Sequence, residues 1–330
     1  MPDDVRSRRL RPAELIRAAA IARRYYLDGA SKLDIAAEFG LSRFKVARVL
    51  EEARRSGLVH IEIAVPAEID AELSEALRTA YDLRQAIVVS VGENPADAPR
   101  DSLRDYLGAV AADYLTEVVT DGDVLGLACS RTLNAMTLAL SGIAPCTVVQ
   151  LTGALSGVRV EANSVELVRR VASLAGGPAY PIYAPLVVPD PATAAALREQ
   201  PEVADAMARY PDITKAVVAV GSWDPPDSLV RAAMPAAESA ALQAGGVQAE
   251  VCARLLDRDG RAVGDLNDRV IAITEEQLRK VPEVIAVSGG SGKAEAIRAV
   301  LRGRLITSLV TDAGVARALL ASGSDDARPA

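Results

Sequence analysis

Residues 31–55, SKLDIAAEFGLSRFKVARVLEEARR, decide the organisation of the N-terminal part of this chain. Ser31 with Asp34 three residues later has the form of a capping box with Asp in place of Glu, so a helix starts there. It runs to Phe39 and stops at Gly40, which tolerates the positive φ of a tight turn. Ser42 is a good N-cap for the next helix. Ala36 supplies the small residue needed where two helices cross, and Ile35, Phe39, Leu41, Val46 and Val49 fall at inward positions. These demands together predict a helix-turn-helix. In its second helix Val46, Val49, Leu50 and Ala53 form a buried stripe at i, i+3, i+4 and i+7. Ser42, Arg43, Lys45 and Arg48 lie on or beside the opposite face, near the end that such helices insert into the major groove. Lys32, Ser42, Arg43, Phe44, Lys45 and Arg48 are therefore the candidate DNA contacts.

Working outward, residues 13–27 place Leu15, Ala18, Ala19, Ala22 and Tyr26 at helical spacing, and Asp28-Gly29 ends that helix. Leu58–Val65 alternates like a strand and is similar to the wing of winged-helix domains. Residues 1–60 hold 13 Lys and Arg against 8 Asp and Glu, a net of +5, whereas the whole chain is at −7. A basic head on an acidic body predicts that only the head meets a polyanion.

Residues 66–84 read as a linking helix with Ile69, Leu73, Ala76, Leu77 and Ala80 on one side. Beyond it, apolar runs at Ala86–Val91, Val124–Ala128, Thr147–Leu151, Ala216–Val220, Val284–Ser288 and Leu305–Val310 alternate with helical stretches at 101–119, 132–140, 163–175, 227–233, 291–302 and 313–321. This predicts an α/β domain with a mostly parallel sheet. The expected division is 1–65 for the DNA-binding domain, 66–84 for the linker helix and 85–330 for an effector and oligomerisation domain.

Ligands of open parallel sheets bind beyond the carboxyl ends of strands, against helix N-termini. Three strand ends are rich in small and polar residues: Gly126 to Thr132 with Ser130 and Arg131, Val220-Gly221-Ser222, and Ser288 to Lys293 with Gly289 and Gly290. Glycines let backbone N–H groups approach an anion, and Arg131 or Lys293 would supply the counter-charge. The run GGSGK resembles a P-loop, but its spacing fails and Ala294 stands where Ser or Thr is required, so nucleotide hydrolysis is not read from it. Of the body's three lysines, Lys215, Lys280 and Lys293, only the last adjoins a glycine loop, and Lys215 is expected to be a neutral control position.

Other classes are disfavoured by composition. No apolar run is long enough to span a membrane, and the charged start does not resemble a signal peptide. The scattered Cys129, Cys146 and Cys252 suit a reducing cytoplasm, with no metal site and no cofactor expected. His60 is the single histidine and lies in the head, which leaves Glu250 and Asp265 as the carboxylates an enzymatic reading would use as a base. An enzyme of the phosphosugar isomerase kind and an architectural DNA-binding protein with an inert body remain the alternatives.

The segments LSRFKVARVLEEARRSGLVHIEI, DGDVLGLACSRTL, VVQLTGAL, NSVELVRRVA, YAPLVV, AVVAVGS, AEVCARLLDRDG, LNDRVIAIT and VSGGSGKAEAIRAVL, in this order, resemble the SorC family of sugar-binding transcription regulators, which includes the central glycolytic gene regulator and the deoxyribonucleoside regulator. The resemblance implies a Rossmann-like body related to phosphosugar isomerases, a phosphosugar effector, operator DNA as partner and a homo-oligomer, dimer or tetramer. It implies that Ser130, Arg131 and Thr132 hold a phosphate, that Lys293 matches the family's lysine after the Gly-Gly turn, and that Arg231 and Glu250 fall near ligand-contacting positions. The chain departs from many relatives in carrying Cys129-Ser130 where they have Trp-Gly or Gly-Gly.

Overall fold

The computed structural model describes residues 12–59, 69–90, 100–155, 164–264 and 266–321. The chain divides into two compact units, Met1–Ala64 and Val65–Ala330.

The first unit holds three helices, α1 (Pro12–Tyr26), α2 (Lys32–Phe39) and α3 (Arg43–Arg55). The capping box forms: Ser31 Oγ accepts the Asp34 N–H at 3.2 Å, and the Asp34 carboxylate accepts the Ser31 N–H at 3.3 Å. Gly40 ends α2 at φ 61°, in the left-handed region that glycine enters without steric cost. Ser42 Oγ caps α3 by accepting the Lys45 N–H at 3.2 Å. Ile21, Ala22, Ile35, Ala36, Val46 and Leu50 are buried together, with Phe39, Leu41 and Val49 packed against them. The inward face of α1 differs from the expected one. Ile21 is fully buried while Leu15 is largely exposed, because the buried stripe runs through Ala18, Ile21 and Ala22. The predicted strand over 58–65 lies, from His60 onward, outside the described residues.

The second unit begins with α4 (Ala71–Ala80) and β1 (Gln85–Val89), then α5 (Arg100–Val118), β2 (Val124–Leu127), α6 (Arg131–Ala139), β3 (Thr147–Gln150), α7 (Ser164–Ala175) and β4 (Ala179–Tyr180). There follow α8 (Pro191–Arg198), α9 (Pro201–Ala208), β5 (Lys215–Val218), β6 (Gly221–Ser222), α10 (Leu229–Ala233), α11 (Ala236–Ala244), β7 (Ala249–Val251) and β8 (Arg254–Leu256). The described part closes with α12 (Glu275–Lys280), β9 (Glu283–Val287), α13 (Ala294–Arg302), β10 (Ser308–Asp312) and α14 (Ala313–Ala321).

Seven strands form a parallel sheet in the order β1-β10-β9-β5-β2-β3-β4. From β2 the chain winds outward through β3 to β4, then returns to lay β5 on the other side of β2 and proceeds through β9 to β10. The direction of winding therefore reverses between β2 and β5, which opens a crevice at their carboxyl ends. Strands β9 and β10 are buried at all five positions, as expected of strands covered by helices on both faces.

A second sheet, β6-β7-β8, is antiparallel and was not anticipated. Its β7–β8 turn consists of Cys252 and Ala253 at φ 51° and 61°, the geometry of a two-residue hairpin loop. The expected linking helix is shorter and belongs to the body. Asp70 caps it, Leu77 is buried, Ala76 and Ala80 are exposed, and the Tyr81 hydroxyl donates to the Leu319 carbonyl of α14 at 3.1 Å. Among the described residues no helix is long and apolar enough to cross a membrane.

Candidate functional site

The crevice between β2 and β5 is a cleft with about 740 Å³ of empty space, part of it open to solvent. One wall is the β2–α6 loop with Cys129, Ser130, Arg131 and Thr132; another is Ala219-Val220-Gly221 after β5; a third is Gly289 and Lys293 after β9. All three strand ends singled out in the sequence thus meet at one place.

Charge in the cleft is concentrated at one end. The Asp227 carboxylate lies 3.5 Å from Lys293 Nζ and 3.9 Å from the Arg104 guanidinium, and it accepts a hydrogen bond from Arg131. Lys293 Nζ also donates to the Val220 carbonyl at 2.7 Å, which aims the ammonium across the mouth of the crevice. Burial pushes the Lys293 pKa down, and the Asp227 and Glu250 charges oppose that shift. Burial would raise the Asp227 carboxyl, but Lys293, Arg131 and Arg104 overcome it and hold the group below its ordinary range. Arg131, Lys293 and Arg104 thus converge on Asp227 at this end, with the buried Glu250 also acting on Lys293.

Glu250, on β7, faces the same cleft and is buried. Its Oε1 accepts from the Ser228 hydroxyl and its Oε2 from the Ala253 N–H, each at 3.1 Å. Burial raises its pKa; the Ala253 and Ser228 hydrogen bonds and the Lys293 charge act the other way. The carboxyl can accept from, or when protonated donate to, a ligand hydroxyl. Burial also pushes the thiols of Cys129 and Cys252 up, to about 11 and about 12. Both remain thiols at neutral pH, which argues against cysteine nucleophilic chemistry.

Several expected positions are placed differently. Arg231 does not join the cleft: its guanidinium donates to the Trp223 carbonyl at 2.6 Å and to Gln243 Oε1 at 2.8 Å, and stacks on the Trp223 ring at 5.9 Å. Gly126 lies within β2, where an added Cβ would meet Leu151 Cδ2 at 2.7 Å, so it makes room for packing. Gly290 stands behind the cleft wall at φ 109°, and its N–H donates to Asp312 Oδ2 at 2.6 Å. Asp312 Oδ1 accepts from the N–H groups of Gly314 and Val315 at 2.9 and 3.1 Å, which anchors the glycine turn to the start of α14. Ser130 does line the cleft, and its hydroxyl also caps α6, accepting from the Leu133 N–H at 3.0 Å while its O–H can still donate. Thr132 and Gly221 do line the cleft. Asp227, Arg104, Thr152 and Gly153, which also line it, were not picked out from the sequence. They come from three separate stretches, and only the repeated small residues at strand ends hinted at the place. Asp265 lies outside the described residues. Among those residues, no group of three His, Cys, Asp or Glu could hold a metal ion.

In the first unit Ser42, Arg43, Phe44, Lys45 and Arg48 are all exposed on α3, Phe44 to 82%. Arg24 is held by Asp28 and Glu38 at 3.0 Å, and Arg55 by Glu52 at 2.7 Å. Arg43, Lys45 and Arg48, by contrast, make no ion pair with the described residues. Lys32 is half-buried with its ammonium 5.3 Å from the Tyr25 ring centre.

Residues 65–321 match the Sugar-bind family model, a sugar-binding domain. The chain is 30% identical over 304 residues to the transcriptional regulator YjhU of Escherichia coli K12, covering 90% of this chain and 92% of that protein. It is 30% identical over 307 residues to the deoxyribonucleoside regulator of Bacillus subtilis, covering 91% and 95% respectively. The crystal structure of the full-length sorbitol operon regulator SorC from Klebsiella pneumoniae superposes with a TM-score of 0.70 at 22% identity, over 93% of this chain and 99% of that one.

Proposed function

Because the chain belongs to the sugar-binding domain family of transcriptional regulators, we propose that it is a DNA-binding regulator whose operator affinity is set by a small phosphorylated sugar bound in the β2–β5 crevice. The observation that carries this reading is the convergence of Arg131, Lys293 and Arg104 at one end of that crevice. A phosphate monoester brings close to two negative charges at neutral pH, which suits a place where three cationic side chains converge. The buried Glu250 carboxyl and the Ser228 hydroxyl lie where sugar hydroxyls would follow. A thermal-shift screen of sugar phosphates tests it, since a ligand at 100 times its Kd adds about 2.7 kcal/mol of stability. Failure of every phosphorylated sugar to stabilise the protein would remove the effector from this reading.

The head would read DNA through α3. Its exposed cations suit phosphates and guanine edges, and the exposed Phe44 ring suits a thymine methyl group. Arg43→Ala or Arg48→Ala is expected to weaken operator binding by about 1–3 kcal/mol if the side chain reads a base. If it contacts only phosphate, the slope of log K against log salt should drop by about one unit. Either variant should fold and assemble normally. Unchanged affinity and salt slope in anisotropy titrations of both would reject α3 as the reading helix.

Such heads usually work in pairs on two half-sites. The protein is accordingly proposed to be a cytoplasmic dimer or tetramer, with a footprint of at least two helical turns showing inverted symmetry. A monomer by light scattering, with a one-turn footprint, would refute this. A phosphosugar isomerase reading has one feature in its favour, the raised pKa of the buried Glu250. It predicts turnover of whichever sugar phosphate emerges from the screen, whereas the sensor returns its ligand unchanged.

A further inference from the structure

The chain has two phenylalanines, and the head treats them in opposite ways. Phe39 packs against the core of the head. Phe44 is 82% exposed, the most exposed large apolar side chain among the described residues. It stands in the first turn of α3, which the Ser42 cap fixes through the Lys45 N–H. At 3.6 residues per turn, Phe44 and Arg48 fall on the face opposite the buried Val46, Leu50 and Ala53. Arg43 and Lys45, both exposed, lie to either side of that face. Glu51 and Arg55 continue it toward the C-terminal end, which a helix entering the groove by its N-terminal end holds away from the bases. The centre of the reading face is thus one ring and one guanidinium, a single turn apart.

We propose that Phe44 and Arg48 act as a pair that reads two neighbouring base pairs, one bearing a thymine 5-methyl group and the next a guanine. Side chains at i and i+4 of a helix have Cβ atoms about 5–6 Å apart, and successive base pairs are spaced by about 3.4 Å, so the two tips reach adjacent steps. Among the four bases only thymine shows a methyl group in the major groove, an apolar patch that a ring can cover. Guanine O6 and N7 accept two parallel donors of a guanidinium. The Phe44 ring gains by leaving water only where such a methyl meets it, so the methyl group is what it selects. Arg43 and Lys45, flanking the pair, suit the phosphates on the two sides of the groove. The proposal rests on α3 as the reading helix and adds which two of its residues set specificity, and for which bases.

The test uses the full chain and a duplex that it selects from random-sequence DNA. Each thymine of that duplex is replaced singly by uracil, which removes the methyl group and keeps the pairing. Anisotropy titrations then compare wild type, Phe44→Ala, Phe44→Leu and Arg48→Ala. In the wild type, uracil at one position per half-site should weaken binding by about 3- to 5-fold, the worth of one buried methyl group. That penalty should vanish in Phe44→Ala and persist in part in Phe44→Leu, whose side chain keeps an apolar tip. Replacing the neighbouring guanine should cost the wild type about 5- to 150-fold and Arg48→Ala little. A melting curve and light scattering check each variant. An unchanged uracil penalty in Phe44→Ala, or no position in the wild type where uracil matters, would overturn the assignment of Phe44, while Arg48→Ala still reports on α3. A lower assembled mass of Phe44→Ala would overturn it too and make the ring a contact between copies of the chain. Selection of no duplex by the wild type would remove the reading helix of the preceding section together with the pair.

Discussion

Replacing Lys293 by alanine is expected to weaken effector binding by about 10- to 150-fold, the worth of one charge-assisted hydrogen bond to phosphate. The ammonium is held at the mouth of the crevice by the Val220 carbonyl and by Asp227. Its loss removes one of three cations and leaves Asp227 a larger share of the remaining two. Operator binding without effector should stay near wild type, because Lys293 lies in the second unit. Calorimetry with the ligand found by screening reads the difference, and equal affinities would move the ligand site elsewhere. The pH dependence has a defined sign. Burial lowers the Lys293 pKa from its ordinary 10.5, so its contribution is present below that lowered value and disappears as pH rises through it. Affinity should thus decline at a pH where an ordinary lysine is still charged. Lys280→Ala is the matched control, since Lys280 makes only an exposed pair with Glu276 at 2.7 Å.

The second large effect falls on Lys215, expected from the sequence to be a neutral position for effector binding, and it is an effect on stability. Lys215 Nζ donates to Asp123 at 2.7 Å, both side chains being mostly buried. The same carboxylate accepts from Thr214 Oγ1 at 2.6 Å and from the Thr120 N–H and hydroxyl at 2.7 and 3.0 Å. Lys215→Ala leaves that carboxylate short of its cation and should destabilise the second unit by about 3 kcal/mol, near the lower figure for a buried pair broken on one side. The expected fall in Tm is roughly 6–10 °C. Burial opposes ionisation of Asp123, but the Lys215, Thr214 and Thr120 hydrogen bonds prevail and hold its pKa far below the ordinary carboxylate range. A folded pKa below the unfolded one stabilises at pH above the unfolded value and loses that stabilisation as pH falls through the folded one. Acid unfolding of Lys215→Ala should therefore begin at higher pH than in the wild type. Indistinguishable melting and acid-unfolding curves would refute the pairing.

The strands of the large sheet were legible because burial on both faces leaves them as short, nearly unbroken apolar runs: Val124 to Leu127, Val284 to Val287 and Leu309-Val310 need no partner to be recognised. The small sheet was not. Gly221-Ser222, Ala249 to Val251 and Arg254 to Leu256 are too short for a period, and they carry Glu250 and Arg254 where an apolar residue would have marked a core. Arg254 is buried because it donates to the carbonyls of Ala272 and Ile273, partners that only the fold supplies. The cleft was legible as three glycine-bearing strand ends, and Glu250 through the family resemblance. Asp227 was not, since its meaning depends on residues 104, 131 and 293 reaching it from other elements. Arg231 shows the converse error: an arginine at the expected spacing is committed to Trp223 and Gln243 instead.

Asp312 gives the crevice a short mechanical path to the far edge of the sheet. One of its oxygens holds the Gly290 N–H, three residues before Lys293, while the other holds the first turn of α14 through Gly314 and Val315. Near its other end α14 receives the Tyr81 hydroxyl at the Leu319 carbonyl, directly after α4. Asp312 is thus the one side chain through which the glycine turn after β9, the first turn of α14 and, by way of α14, the residue that closes α4 are held together within the second unit.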